Sequence, residues 1–436
     1  MKLRTGSKAG AVALLTAALA AAGCSSGSSG GSSSPGTSSS SGSAASSSGS
    51  AASSRGFDGH TIKVAGISEL SNFAGAEIGS EARFKRANDT NELNGIKIQF
   101  QEMANSNFDP ATALSEVRRL VTQDQVFAIV PDLSAENPGP YLAQQQVPYL
   151  GYGFDTSYCS PTPSTSVWGF GYNGCLVPTN PPKMPDSFSN LYKYVSGKTG
   201  KQHPTMALFS SDIQSGKDAT KFQASAAQGA GFNVVYAKGV FPTVTSDYTP
   251  YVQQWLRAAG GKAPDTLTCL AATQCIQIWQ AVQAAGYQGT FYHTLGNVDA
   301  LAKVFAGTYT AAFYNTDTAS NPGLAQMQAD FQAFKPGTAL TGYSNVPAYF
   351  AADMFIQAVK KVGRNITPQA VQKALSTITW QIPGFVGPTV YPSSTAVPTP
   401  ACTELLADPP GGSGYQIVEP FSCSNRQISI DPNFTG

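Results

Sequence analysis

The chain has 436 residues, a formal net charge of +1 and only 12% charged residues, about half the usual share. A chain this close to neutral lacks the electrostatic footprint of a nucleic-acid binder, and no apolar run approaches the ~18–20 residues of a membrane span. His60, His203 and His293 lie far apart and neither HExxH nor paired CxxC occurs, so no metal and no cofactor is expected.

Residues 1–24 read as a secretion signal: Lys2, Arg4 and Lys8 precede the apolar run 11–22, in the order such signals require. The run ends Leu19-Ala20-Ala21-Ala22-Gly23-Cys24, which resembles the lipobox of bacterial lipoproteins, with Cys24 as the lipidated thiol. Loss of the three basic residues takes the net charge from +1 to −2. Residues 25–54 hold 18 Ser and 6 Gly, a composition with nothing to bury. The tether, taken as 25–56, would reach roughly 30 Å as a flexible coil.

The folded part opens with a predicted strand at 61–67 (TIKVAGI), a helix at 76–91 and an alternating strand at 96–102 (IKIQFQE). Asp109 as N-cap and Pro110 at the first position start a helix, with Leu114, Val117, Leu120 and Val121 as its apolar stripe. The run 126–130 (VFAIV) is a wholly apolar strand that Pro131 is expected to stop. This order predicts parallel strands with right-handed crossovers. The rhythm restarts with strands at 205–210, 232–236 and 266–270 and helices at 217–229, 248–259 and 276–285. An amphipathic helix is expected at 348–362, and the Pro- and Gly-rich tail 383–436 offers only short strand candidates.

Besides Cys24 there are six cysteines, an even number that suggests disulfides in an exported chain. Nearest-neighbour pairing gives Cys159–Cys175, Cys269–Cys275 and Cys402–Cys423, each closing a short loop. A catalytic thiol is the sharper alternative, without a local Cys-His pair to support it. Gly169-Phe170-Gly171-Tyr172-Asn173-Gly174 matches GxGxxG literally, but it opens no helix after a strand and lies between Cys159 and Cys175, so it reads as a closed loop rather than a dinucleotide site.

The segments IKVAGISEL with Gly75 downstream, ELNGIKIQF and DPATALSEVRRLVTQDQVFAIVPDLS resemble the amino-terminal lobe of type I periplasmic binding proteins, the branched-chain amino-acid branch of ABC-transporter receptors. SDYTPYVQQWLRAAGGKAPDTLTCLAATQCIQIWQAVQAAGYQG is similar to that family's second-lobe unit, and SNVPAYFAADMFIQAVKKVG to its returning first-lobe helix. The resemblance implies an α/β fold of two Rossmann-like lobes with parallel sheets, 57–178 plus 319–383 and 183–315 plus 391–436. Three crossings would lie near 175–183, 312–318 and 383–391. Ligand would sit between the lobes, at the carboxyl ends of strands, and the lobes would close on it about the hinge.

The family's ligand loops fall here on Ser134 and Ala135, where relatives hold a ligand carboxylate, and on Gly153 and Asp155 after the next strand. Ser134 reads equally as a plain N-cap. Phe73 falls at the family's aromatic wall, with Tyr152, Phe154 and Tyr158 adding rings. A family Tyr falls at Thr273 or Gln274. Where relatives carry an acid that pairs with the ligand ammonium, this chain has Leu295. Asp155 and Asp299 are the acids placed to substitute, and a neutral or anionic ligand is as good an expectation as an amino acid.

The resemblance thus implies a non-enzymatic, lipid-anchored solute receptor at the extracytoplasmic face of a bacterial membrane. Its partners would be a small molecule (an amino acid, amide or related metabolite) and an ABC permease. It would act as a monomer, without nucleic acid. A ligand sensor coupled to a signalling partner and an exported hydrolase are the competing readings.

Overall fold

The computed structural model describes residues 54–153, 156–158, 167–174, 183–319, 321–391, 401–424, 426–431 and 434. The signal, Cys24 and the Ser/Gly run lie outside them, as do Phe154, Asp155, Cys159 and Cys175. Residues 54–56, expected at the end of the tether, belong to the folded body. Arg55 donates to the carbonyls of Val126, Gln145 and Gln146 at 3.2, 2.9 and 2.8 Å.

The first sheet holds β1 (Thr61–Ser68), β2 (Lys97–Asn105), β3 (Ala128–Leu133), β4 (Tyr149–Gly151) and β5 (Gly169–Gly171), all parallel, in the order β2-β1-β3-β4-β5. Three helices connect them: α1 (Ala76–Asp89), α2 (Pro110–Thr122) and α3 (Gly139–Gln144). Asp109 caps α2, accepting from the Thr112 N–H at 2.6 Å. Ala113, Val117, Leu120 and Val121 are the residues α2 buries, so Ala113 holds the place expected of the half-buried Leu114.

Pro131 does not stop β3, which continues to Leu133. The pairing with β1 jumps from Ala65–Ile129 to Ile67–Asp132, and that with β4 from Tyr149–Ile129 to Gly151–Asp132. Pro131 therefore sits in a bulge, where no ladder bond is asked of its missing N–H.

The second group comprises β6 (Lys183–Pro185), α4 (Ser189–Thr199), β7 (Thr205–Ser211), α5 (Gln214–Ala230), β8 (Asn233–Phe241), α6 (Thr249–Trp255), β9 (Thr266–Cys269), α7 (Gln274–Ala284), β10 (Thr290–His293) and β11 (Tyr309–Ala312). The chain then forms α8 (Pro322–Phe334), α9 (Asn345–Val362), α10 (Pro368–Leu375), β12 (Thr379–Ile382) and β13 (Val386–Val390), and ends in β14 (Ala401–Ala407), β15 (Gln416–Ser424) and β16 (Gln427–Ser429). The second sheet has the order β15-β14-β11-β10-β9-β7-β8. β8 to β11 are parallel, but β14 and β15 run antiparallel, so this sheet is mixed. The tail expected to be nearly bare supplies its last two strands, bridged by Cys402–Cys423.

The chain passes between the sheets after β5, after β11 and after β13. Residues 175–182 and 392–400, in the first and third passages, are outside the described set. The second passage pairs with the chain entering β13: Tyr314 bridges Val386, and the Asn315 N–H donates to the Phe385 carbonyl at 2.8 Å. A short ribbon of this kind concentrates rotation between two bodies at a few backbone angles.

α9 is not amphipathic. It is buried on nearly every face from Asn345 to Val359, because α1, α10, β3, β4 and β12 all pack on it. Gly79 lets α1 approach: a Cβ there would lie 1.9 Å from the Asn345 carbonyl oxygen. Beside it Arg83, 3% exposed, pairs with Asp353 at 2.7 Å and Glu92 at 2.8 Å, while the Trp380 indole donates to Asp353 at 3.0 Å. The partners supply the compensation a buried guanidinium requires.

Candidate functional site

In each sheet one strand start is followed by neighbours on both sides, so connections leave in opposite directions. That switch lies between β1 and β3 in the first sheet and between β7 and β9 in the second. Open α/β sheets leave a crevice at the carboxyl ends of such strands. Residues at or just past the ends of β1, β3, β7 and β9 do line one cavity of about 530 Å³: Asn72 and Phe73, Ala135, Ser210 and Ser211, and the loop Leu270–Gln274.

The aromatic wall comes from both ends of the chain. Phe73 meets Tyr343 edge-on at 5.9 Å, Tyr152 meets Phe313 at 6.1 Å and Tyr172 at 5.6 Å, and Phe188 lies 6.2 Å from Tyr292. Burial holds the Tyr152 and Tyr292 phenols well above their ordinary range, so both stay un-ionised. The Tyr314 hydroxyl donates to Asn297 Oδ1 at 2.7 Å.

Of the residues singled out from sequence, Phe73, Ala135, Tyr152, Gln274 and Leu295 line the cavity, and so does Thr273. Ser134 does not: it is 1% exposed, and its N–H and hydroxyl both donate to Asp132 Oδ1, at 3.0 and 2.6 Å. Gly153 is not in the lining either. Its N–H donates to Asn173 Oδ1, and a Cβ would lie 1.8 Å from the Gly174 carbonyl oxygen, so the glycine allows a close backbone approach. Tyr158 is core, its hydroxyl donating to the Asp132 carbonyl at 3.2 Å. Asp155 is outside the described residues, as is the side chain of Asp299.

Gln274 ties its amide nitrogen to a neighbouring loop. Nε2 donates to the Thr243 carbonyl at 2.7 Å and the Tyr248 hydroxyl at 3.1 Å, which fixes the loop carrying the exposed Val244 at the cavity edge. The Cys269–Cys275 disulfide closes the loop that carries Leu270–Gln274. Across the cavity, the Thr273 hydroxyl donates to the Asn72 amide oxygen.

Asn72, Tyr292, Phe313, Asn297 and Tyr343 escaped the sequence reading. Asn72 lies a few residues past a predicted strand end and could have been found there, whereas Tyr292 stands on β10, a strand the sequence reading did not include. Phe313 and Tyr343 arrive through the later passages of the chain, which local pattern does not encode.

Among the described lining residues there is no Asp, Glu, Lys, Arg or His. No group of His, Cys, Asp or Glu among the described residues could hold a metal ion, and no described helix is long and apolar enough to cross a membrane.

Among curated proteins no sequence matches the chain significantly. Solved structures are similar in fold. A fatty acid ABC transporter substrate-binding protein from Thermomonospora curvata superposes with TM-score 0.67 at 16% identity, over 87% of this chain and 98% of that one. A possible leucine/isoleucine/valine-binding protein from Rhodopirellula baltica gives 0.66 at 14%, over 82% and 96%. A branched-chain amino acid ABC transporter protein from Thermus thermophilus with bound valine gives 0.63 at 16%, over 84% and 96%. The two-lobed α/β architecture is that of type I periplasmic binding proteins. The family model described as periplasmic binding protein matches residues 59–400, most of the length, and the chain belongs to that family.

Proposed function

We propose that this protein is the solute receptor of an ABC importer, closing two lobes on one small molecule and handing it to a membrane permease. The observation that carries the reading is a cavity at the switch points of both sheets, lined by described residues from both and flanked by the bridge between Tyr314 and Val386. Phe73, Ala135, Tyr152, Gln274 and Leu295 are its candidate contacts. The lobes are assigned as 57–178 with 319–383, and 183–315 with 391–436. Ser134 and Gly153 contribute by fixing the loops on which Ala135 and Tyr152 stand.

The protein is further proposed to act as a monomer held outside the cell by a diacylglycerol on Cys24. The support is the run Leu19–Cys24 and the Ser/Gly stretch after it. Mass spectrometry of the mature amino terminus tests the anchor: a lipid-modified Cys24 supports it, and an unmodified one contradicts it. Thermal-shift screening followed by scattering tests the receptor. A ligand that stabilises by mass action should also contract the molecule; stabilisation without contraction would count against hinge closure.

A further inference from the structure

Resting on the receptor reading, we infer that the second lobe, rather than the first, seats an anionic end of the ligand. The first turn of α5 and the Ser211 hydroxyl receive a carboxylate, and the apolar body of the ligand lies against the rings of the cavity.

β7 ends at Ser211 and α5 begins at Gln214, so only two residues join strand to helix. Ile213 holds the N-cap position in an extended conformation, φ −98° and ψ 159°, and its apolar side chain caps nothing. The first bond of the helix runs from the Lys217 N–H to the Ile213 carbonyl at 3.0 Å. The N–H groups of Gln214, Ser215 and Gly216 are left without an acceptor among the described residues. Ile213, Ser215 and Gly216 all line the cavity. Orphan N–H groups at a helix start, with a partial charge of about +0.5 there, favour a bound anion.

A side chain converges on the same turn. Ser211 is 5% exposed, lines the cavity and has no hydrogen-bond partner among the described residues. Its Oγ lies 3.3 Å from the place a Cβ on Gly216 would take, which sets it beside the first turn. A hydroxyl buried this far ordinarily has a partner, and here the open side is the cavity. The nearest acid in the chain, Asp212, is already paired with Lys217.

The seat implied by the family resemblance, after β3, has the opposite electrostatics. Ser134 gives its N–H and hydroxyl to Asp132 at 3.0 and 2.6 Å, and across the loop after β1 the Ser71 and Asn72 N–H groups donate to the Glu69 carboxylate at 3.1 and 2.7 Å. Ala135 adds one N–H, between Asp132 and Glu136 in the chain. Acids therefore stand behind the first-lobe loops, and like charge disfavours an anion there.

The size of the charge follows from the cations. The described lining holds no Lys, Arg or His, and none occurs in 154–155, 159–166, 175–182 or 392–400. A helix start and one hydroxyl match the single charge and two accepting oxygens of a carboxylate. A dianionic phosphate would lack a counter-charge.

The test is calorimetry and small-angle scattering of the full chain with matched pairs: 3-phenylpropionate and 3-phenylpropionamide, isovalerate and isovaleramide, benzoate and benzamide. Amide resonances of the ¹⁵N-labelled protein locate the contact. At least one carboxylate should bind with contraction, at least tenfold tighter than its amide, and shift the Gln214–Gly216 resonances more than those of Ser134 and Ala135. Ser211→Ala should weaken that carboxylate at least tenfold. Ile213→Asp should weaken it at least 100-fold, because an N-cap carboxylate accepts from the N–H groups of Ser215 and Gly216 itself. The same cap should keep or raise Tm, so lost binding is separated from lost folding. Equal binding of carboxylate and amide, contraction with amides alone, undiminished carboxylate binding by Ile213→Asp, or shifts centred on Ser134 and Ala135 would each overturn the seat and leave the receptor reading standing. Absence of contraction with every probe overturns both.

Discussion

The hydroxyl of Thr273, at the start of α7, donates to the amide oxygen of Asn72, in the loop after β1, and so joins the two sides of the cavity. Both ends are held: Asn72 by its N–H to Glu69, Thr273 by the adjacent Cys269–Cys275 bridge. A neutral bond of this kind contributes about 0.5–1.5 kcal/mol. Thr273→Ala or Asn72→Ala should therefore weaken ligand affinity by up to about tenfold, and the double variant should lose no more than either single one. Calorimetry of the three variants checks this; additive losses would show that the residues act separately.

Removing the bridge itself should act on the same loop. Cys269 and Cys275 are six residues apart, and closing so short a loop limits the unfolded chain by about 2 kcal/mol. Cys269→Ser with Cys275→Ser should lower the urea midpoint accordingly. It should also weaken binding more than Cys402→Ser with Cys423→Ser, whose bridge joins β14 to β15 at the sheet edge. Equal effects of the two pairs on binding would contradict a role for the first in shaping the cavity.

His293 sets an acid limit. Its ring is fully buried against Phe305, with centroids 4.0 Å apart, and neither nitrogen has a hydrogen-bond partner among the described residues. Burial lowers its pKa to about 3, from 6.5. The folded state thus favours the neutral ring, and the unfolded state takes up the proton first. The stability is intact above pH 6.5 and is lost as pH falls from there toward 3. At pH 4.5 the loss is about 3 kcal/mol. Urea midpoints at pH 7.5 and 4.5 should diverge in the wild type and less so in His293→Leu; identical divergence in both would assign the acid sensitivity elsewhere.

Gly79 is a packing requirement rather than a flexible point. It lies inside α1, and the added Cβ of Gly79→Ala would meet the Asn345 backbone at 1.9 Å. Overpacking of this kind costs about 1–3 kcal/mol, more than the helix-propensity gain of about 1 kcal/mol from replacing a glycine. Chemical denaturation should show net destabilisation; a more stable Gly79→Ala would mean that α1 and α9 can move apart without loss.

The parts of the fold legible in the sequence are those governed by local rules. Asp109-Pro110 starts α2 because capping and a fixed φ are decided within four residues, and β1, β7 and β9 stand out because buried parallel strands are continuously apolar. Pro131 misled because the bulge that accommodates it depends on two neighbouring strands. β14 and β15 were hidden by a composition rich in Pro and Gly, and become strands because β11 offers an open edge. In the site, Phe73, Tyr152 and Gln274 were found through the family resemblance, whereas Ser134 turned inward because Asp132 two residues earlier captures it. Phe313 and Tyr343 depend on chain passages too distant for pattern to connect.

The account stands most directly on one measurement: small-angle scattering of the protein with and without a saturating ligand, followed by mass analysis of the ligand recovered. A smaller radius of gyration in the complex, with the ligand returned unchanged, is the predicted result. An unchanged radius at saturation, or a chemically altered ligand, would contradict it.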